Sequence, residues 1–255
     1  MSSVIRQRAL IEAPSFVFGL NFPHQTFRHV VVVEQCGWMR LRSGGLRRLR
    51  CGSFVRPDLK DFHSDEALAR LSGAPKGSLL EVNHSVDGIE LKVVNQDLLC
   101  EPMVRFIRPT TVGHVFEIRN AGFVLRPQFR GLGIGPRSVA FELHEACQLN
   151  YISKVVTYAV GDWSSGAGEY AMNGYLVWAR MGFNAKLSED FRRHVAFPPS
   201  CQGVEDVVGL MSSAEGRDFW VRYGSSIWME FPLQSTSASW SQFRKFARER
   251  NIEVT

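Results

Sequence analysis

The segment VLRPQFRGLGIGPRSVAFEL, Val124 to Leu143, constrains this chain more than any other. An apolar run ending at Arg126 or Pro127 meets Gly131, Gly133 and Gly135, and these lead at once into an amphipathic stretch. Val139, Leu143, Ala146, Cys147 and Leu149 follow helical spacing, and Pro136 suits a first helical turn, where its missing N–H is no loss. A strand, a tight glycine turn and a helix are therefore expected in immediate succession. Such a turn gathers main-chain N–H groups at a helix N-terminus, where glycines permit close approach and phosphate oxygens can bind. Two fingerprints of this kind fail. A dinucleotide loop counted from Gly131 needs glycine at Pro136, and counted from Gly133 at Ser138. A Walker loop needs Gly-Lys-Ser/Thr, which is absent.

Around this segment the pattern alternates. Strands are predicted at 88–94, 103–109, 114–118, 122–127 and 154–160, separated by Asp87-Gly88, Pro102, Pro109 and Asn120-Ala121-Gly122. A second helix is predicted from about Tyr170 to Met181, stopped by Gly182, then a helix pair within 204–223, a strand at 226–233 and a helix from Ser237 or Ser239 to Arg250. The strand SIWMEFPL is apolar enough for burial on both faces, beside 184–187 or KVVTYAV, with Trp220, Trp228 and Trp240 anchoring the packing. Residues 1–80 read as an N-terminal extension with short strands and a helix near Ser64 to Leu71, and 81–255 as the core with a C-terminal addition. The fold class is α/β (α+β), a mixed, mostly antiparallel twisted sheet flanked by helices.

Composition sets the outer limits. A chain of 255 residues with 45% hydrophobic and 22% charged residues buries a core, and its longest aliphatic run, Val30 to Val33, is far too short to span a bilayer. Glu12 and Pro14 interrupt the apolar segment that a secretory signal needs, and the five cysteines include no Cys-x-x-Cys pair. A reducing, cytoplasmic setting without a thiolate metal site is expected. The net charge of +5 is concentrated in Arg40 to Lys60, seven bases against Asp58, which permits a nucleic-acid or acidic partner. His144-Glu145 begins like a metalloprotease helix, but Gln148 stands where the second ligand belongs.

The run Val124 to Gly135 resembles the acyl-CoA pyrophosphate loop of the GNAT superfamily of N-acetyltransferases, Arg/Gln-x-x-Gly-x-Gly/Ala after an aromatic residue and a proline. Arg130, Gly133 and Gly135 hold the signature positions, Gly131 follows the arginine, and Pro127 and Phe129 precede it. Met181-Gly182-Phe183 is similar to the family's helix ending, so the resemblance covers roughly 85–185. It implies transfer of an acetyl group from acetyl-CoA to a primary amine by direct attack in a ternary complex, without a metal. The amine could belong to a small molecule, a protein or an aminoacyl-tRNA. It also implies a splayed pair of parallel strands, 122–126 and 154–160, with pantetheine between them.

The resemblance further implies that Arg130, Arg137 and the main chain of Gly131, Leu132, Gly133, Ile134 and Gly135 hold the pyrophosphate, while Val124, Leu125 and Arg126 pair with pantetheine. Pro136 lacks one usual donor, and Arg137 is placed to compensate. Glu117 is the candidate base, with His114, Glu90 and Asp162 in reserve. A bulge at Asn120 to Gly122 would bring it to the face of Val124. Trp178 stands where the family carries its tyrosine acid, so Tyr175, one turn earlier, is the candidate acid with Tyr170 as a further substitute, and Asn173 is two residues from the family's asparagine. The segment GDWSSGAGEY is expected to form a loop at the substrate entrance. The alternative function is a catalytically inactive CoA-binding or interaction module.

Overall fold

The computed structural model describes residues 6–7, 31–35, 38–40, 46–48, 65–85, 88–111, 115–165 and 172–252. Most of the basic segment 40–60, the apolar run 16–20, His114, Tyr170 and the end of the loop 161–170 lie outside these residues. By its contacts the chain divides into two compact units, Met1–Ser153 and Lys154–Val254.

The first unit runs β1 (Arg6–Gln7), β2 (Val31–Gln35), β3 (Trp38–Arg40), β4 (Leu46–Arg48), α1 (Asp65–Ser72), β5 (Leu79–Ser85), β6 (Gly88–Val94), β7 (Met103–Pro109), β8 (Phe116–Gly122) and α2 (Ile134–Gln148). Six strands form a mixed sheet in the order β1-β2-β5-β6-β7-β8, with β2 parallel to β5 and every other pair antiparallel. The N-terminal region therefore contributes strands to the sheet itself. The strand β5, not foreseen from the sequence, receives them on one edge and β6 on the other.

Strict alternation explains β6 and β7. Ile89, Leu91 and Val93, then Met103, Arg105 and Ile107, face the core, while the residues between them are half-buried on the other face. Helices α1 and α2 pack on each other, burying Leu71, Val139, Leu143 and Ala146 with Leu80, Leu91 and Ile118 of the strands. The helix α2 begins at Ile134, two residues before Pro136, and leaves Cys147 exposed. In place of that predicted core position it buries Ser138, Glu142 and Glu145. At Asn120 to Gly122 the strand continues through a bulge: Arg105 pairs with Asn120 but Val104 with Gly122, leaving Ala121 as the extra residue.

The second unit holds most of β9 (Ile152–Ala159), then α3 (Gly174–Arg180), α4 (Glu189–Arg192), α5 (Val207–Met211), α6 (Ala214–Tyr223), β10 (Ile227–Pro232) and α7 (Ala238–Glu249). The strand β10 pairs antiparallel with β9, and on its other edge Glu230 bridges Asn184, the two neighbours expected from the sequence. Gly182 ends α3 with a φ of +89°, and a Cβ there would meet the Ser239 carbonyl oxygen of α7, so only glycine lets the two elements close.

Burial on both faces of β10 is not what forms. Met229 and Phe231 are buried, while Trp228 is 49% exposed and stacks on Tyr158 across the pair, ring centroids 5.3 Å apart. The strand obeys period-two alternation because one face meets α7 and the other does not. Trp220 and Trp240 do anchor the core, each donating its indole N–H, to the carbonyls of Tyr175 and Leu233. Phe231 packs against Phe183, Trp240 and Phe243. Replacing Phe231 by alanine is expected to cost about 3–5 kcal/mol of stability, read by urea unfolding. A cost below about 1 kcal/mol would place the core of this unit elsewhere.

Candidate functional site

The glycine segment folds as a nest at the start of α2. Gly131 and Gly133 both take the left-handed conformation, φ +76° and +78°, which L side chains rarely adopt. Gly133 is the N-cap, without side-chain capping, so the first helical N–H groups stay open. Among the described residues, the N–H groups of Gly131, Leu132, Gly133, Ile134 and Gly135 donate to nothing. These are five successive unengaged donors, the type of main-chain turn that can cradle an anion, and Pro136 supplies none.

Three guanidinium groups surround this turn, each donating to a main-chain carbonyl. Arg126 Nε donates to Gln96 O at 2.9 Å, Arg130 Nε to Leu125 O at 3.1 Å, and Arg137 Nη1 to Leu132 O at 3.2 Å. The Arg137 group lies against Gly133, where a Cβ would meet its Nη1 at 2.8 Å. Burial lowers the Arg137 pKa from its ordinary value, though never enough to discharge a guanidinium at neutral pH. It therefore stands as a partly desolvated cation beside the turn, where its charge is less screened than in water.

Among the described residues, the strand feeding the turn is held from one side only. Cys100 N–H donates to Val124 O and Arg126 N–H to Leu98 O, both at 2.9 Å, around the pair Leu99 and Leu125. Because main-chain groups alternate along a strand, Leu125 faces the opposite edge, and no described residue accepts from its N–H. The rail Leu98 to Cys100 escaped the sequence reading. It is set by buried Asn95, whose side chain accepts from Leu98 N and donates to Lys76 O and Ser78 Oγ. An Asn-Gln-Asp run is a turn signal, but nothing local says which strand the turn will meet.

Glu117 is half-buried on the face of β8 turned away from α1 and α2, opposite Arg108 in register. The bulge expected at Asn120 to Gly122 is present at Ala121, and it shifts the alternation of β8 by one residue. Glu90 lies on β6, two strands away, and accepts from Asn83.

Tyr175, in the second unit, is 4% exposed, and its hydroxyl donates to Val221 O at 2.9 Å. Burial first, and the Asp162 carboxylate second, push its pKa up. Trp178 packs edge-on against Phe183 as part of the core wall. Asn173 is the N-cap of α3 but makes no side-chain cap. Asp162 accepts from Ser164 at 2.7 Å, next to the 3₁₀ turn Trp163–Ser165.

Among the described residues no group of three or more His, Cys, Asp or Glu is placed to hold a metal ion, and no helix is long and apolar enough to cross a membrane. No protein-family model, curated protein or solved structure matches the chain.

Proposed function

We propose that this chain is an acyl-CoA-dependent N-acyltransferase of GNAT type, moving an acetyl group from acetyl-CoA to a primary amine. The observation that carries the reading is the row of five N–H groups, Gly131 to Gly135, that engage no described residue, directly after a strand with one edge open among the described residues. An anionic group suits the first, and an extended amide-bearing arm suits the second. Acyl-CoA joins both in one molecule, a pyrophosphate and a pantetheine chain.

In this reading the pyrophosphate lies in the nest, with Arg130 and Arg137 as charged donors and Arg137 standing in for the N–H that Pro136 lacks. The pantetheine amides follow Val124 to Arg126, and the Leu125 N–H donates to the thioester oxygen as it gains negative charge. Glu117 takes a proton from the ammonium of the acceptor, the free amine attacks the carbonyl carbon, and the carbon–sulfur bond breaks. The new amide nitrogen sheds its remaining excess proton to solvent, and the departing thiolate, with an ordinary thiol pKa of about 8.5, takes one up from solvent. It needs no tyrosine, and the Tyr175 proton is already engaged with Val221 O.

Calorimetric titration with acetyl-CoA, then thiol release with a panel of amines, tests this function. Binding without thiol release would favour the second reading, a CoA-binding module without turnover, for which the engaged Tyr175 hydroxyl is the supporting observation. Absence of binding would exclude both. An Arg137→Met variant is expected to bind acetyl-CoA about tenfold more weakly, the loss of one charge-assisted hydrogen bond. Unchanged affinity would assign the compensation to another group.

A further inference from the structure

The interior of the first unit holds a charged cluster with no part in the proposed chemistry. Arg105 of β7 is 1% exposed and Glu142 of α2 fully buried. Arg105 Nε lies 2.9 Å from Glu142 Oε1 and donates to Asn120 Oδ1 at 2.9 Å, while Asn120 Nδ2 donates to Glu142 Oε2 at 3.0 Å. Arg105 Nη2 reaches Ser138 Oγ at 3.4 Å, and Ser138 Oγ donates to Gly73 O, just past α1, at 2.7 Å. Burial raises the Glu142 pKa and lowers that of Arg105, and the attraction between them opposes both shifts.

A buried ion pair is a poor source of stability, because desolvating two charges offsets most of their attraction, and apolar residues of similar volume commonly serve as well. Such a cluster is suited instead to directional registry, since each hydrogen bond depends on distance and angle. Its members stand where registry matters. Asn120 and Arg105 are the pair at the edge of the bulge that turns β8 into the rail-bound strand Phe123 to Arg126. Ser138 and Glu142 lie one and two turns after Gly135 on the helix that opens with the nest.

We infer that the Arg105–Glu142–Asn120–Ser138 cluster is a positioning device, holding the nest of α2 at a fixed offset from the open strand edge so that one ligand engages both. The inference rests on the acyl-CoA reading for the identity of that ligand, and on geometry alone for the offset. A ligand spanning two fixed subsites gains from their being pre-set, whereas a fragment occupying one subsite does not.

The test is an Arg105→Met/Glu142→Leu chain, which removes both charges together and so avoids an uncompensated one, examined by the backbone amide NMR shifts of 122–126 and 131–135 without ligand. Acetyl-CoA and inorganic pyrophosphate affinities follow. Displaced shifts in both segments of a cooperatively folded variant are expected, with acetyl-CoA weakened about tenfold or more and pyrophosphate changed less than about twofold. Unmoved shifts, or native acetyl-CoA affinity, would overturn the positioning role. If the parent chain binds no acetyl-CoA, the acyltransferase reading fails, and the ligand-free shifts still decide the inference. Should the double variant not fold, Ser138→Ala, which removes the links to Arg105 and Gly73 and a long contact to Met103 Sδ, carries the same comparison: unmoved shifts in both segments overturn the inference.

Discussion

A Gly133→Glu chain is expected to remain folded and to bind acetyl-CoA at least ~100-fold more weakly than the parent. The left-handed conformation at this position, φ +78°, costs a non-glycine residue about 1–2 kcal/mol, which a domain stable by about 5–15 kcal/mol can absorb. The new Cβ meets only the flexible end of Arg137, 2.8 Å away, and that side chain can swing aside. Binding has no such escape, because the added carboxylate stands at the row of N–H groups of Gly131 to Gly135 and repels a pyrophosphate there. It also competes for the guanidinium of Arg137. Losing two charge-assisted hydrogen bonds at about 1.5–3 kcal/mol each already exceeds a hundredfold. Isothermal titration of a variant with parental circular dichroism is the measurement, and parental affinity would place the anion site away from this turn.

The second large effect is expected at Glu117. Exchanging it for glutamine keeps the size and the half-buried position on β8 but removes the ability to accept a proton. Turnover should fall by about 10² or more while acetyl-CoA affinity holds, since base catalysis contributes about that factor and the nest is untouched. The dependence of kcat/KM on pH should lose the limb that reports the base. A variant with the parental profile would remove Glu117 from the mechanism and direct attention to other proton acceptors on this face of the sheet. Because Glu117 stands opposite Arg108 in register, Arg108→Met separates the two roles open to the carboxylate. A purely structural pair would lose stability in both variants alike, whereas a base would lose turnover chiefly in the first.

How much of this was legible in the chain depends on the range of the interaction concerned. The strands Gly88–Val94 and Met103–Pro109 appear at the bounds expected from alternation, bounded by the aspartate-glycine and proline signals that delimit them. The glycine turn was visible because left-handed backbone selects glycine locally. The bulge at Ala121 was foreseen only because Glu117 and Val124 had to share a face, a requirement of chemistry, not a mark in the residues themselves.

By itself, then, the sequence determined a mixed α/β fold and a strand-turn-helix unit able to present N–H groups to an anion, because alternation, helical period and glycine conformation act over a few residues. Tertiary structure alone decided the rest. The parallel pairing of β2 with β5, the rail of Leu98 to Cys100 against Leu125, the exposure of Trp228 and the burial of Arg105 with Glu142 each depend on partners brought together by the fold. A glutamate on a helix reads as solvent-facing until an arginine more than thirty positions earlier is shown to lie beneath it, and no local pattern records that meeting.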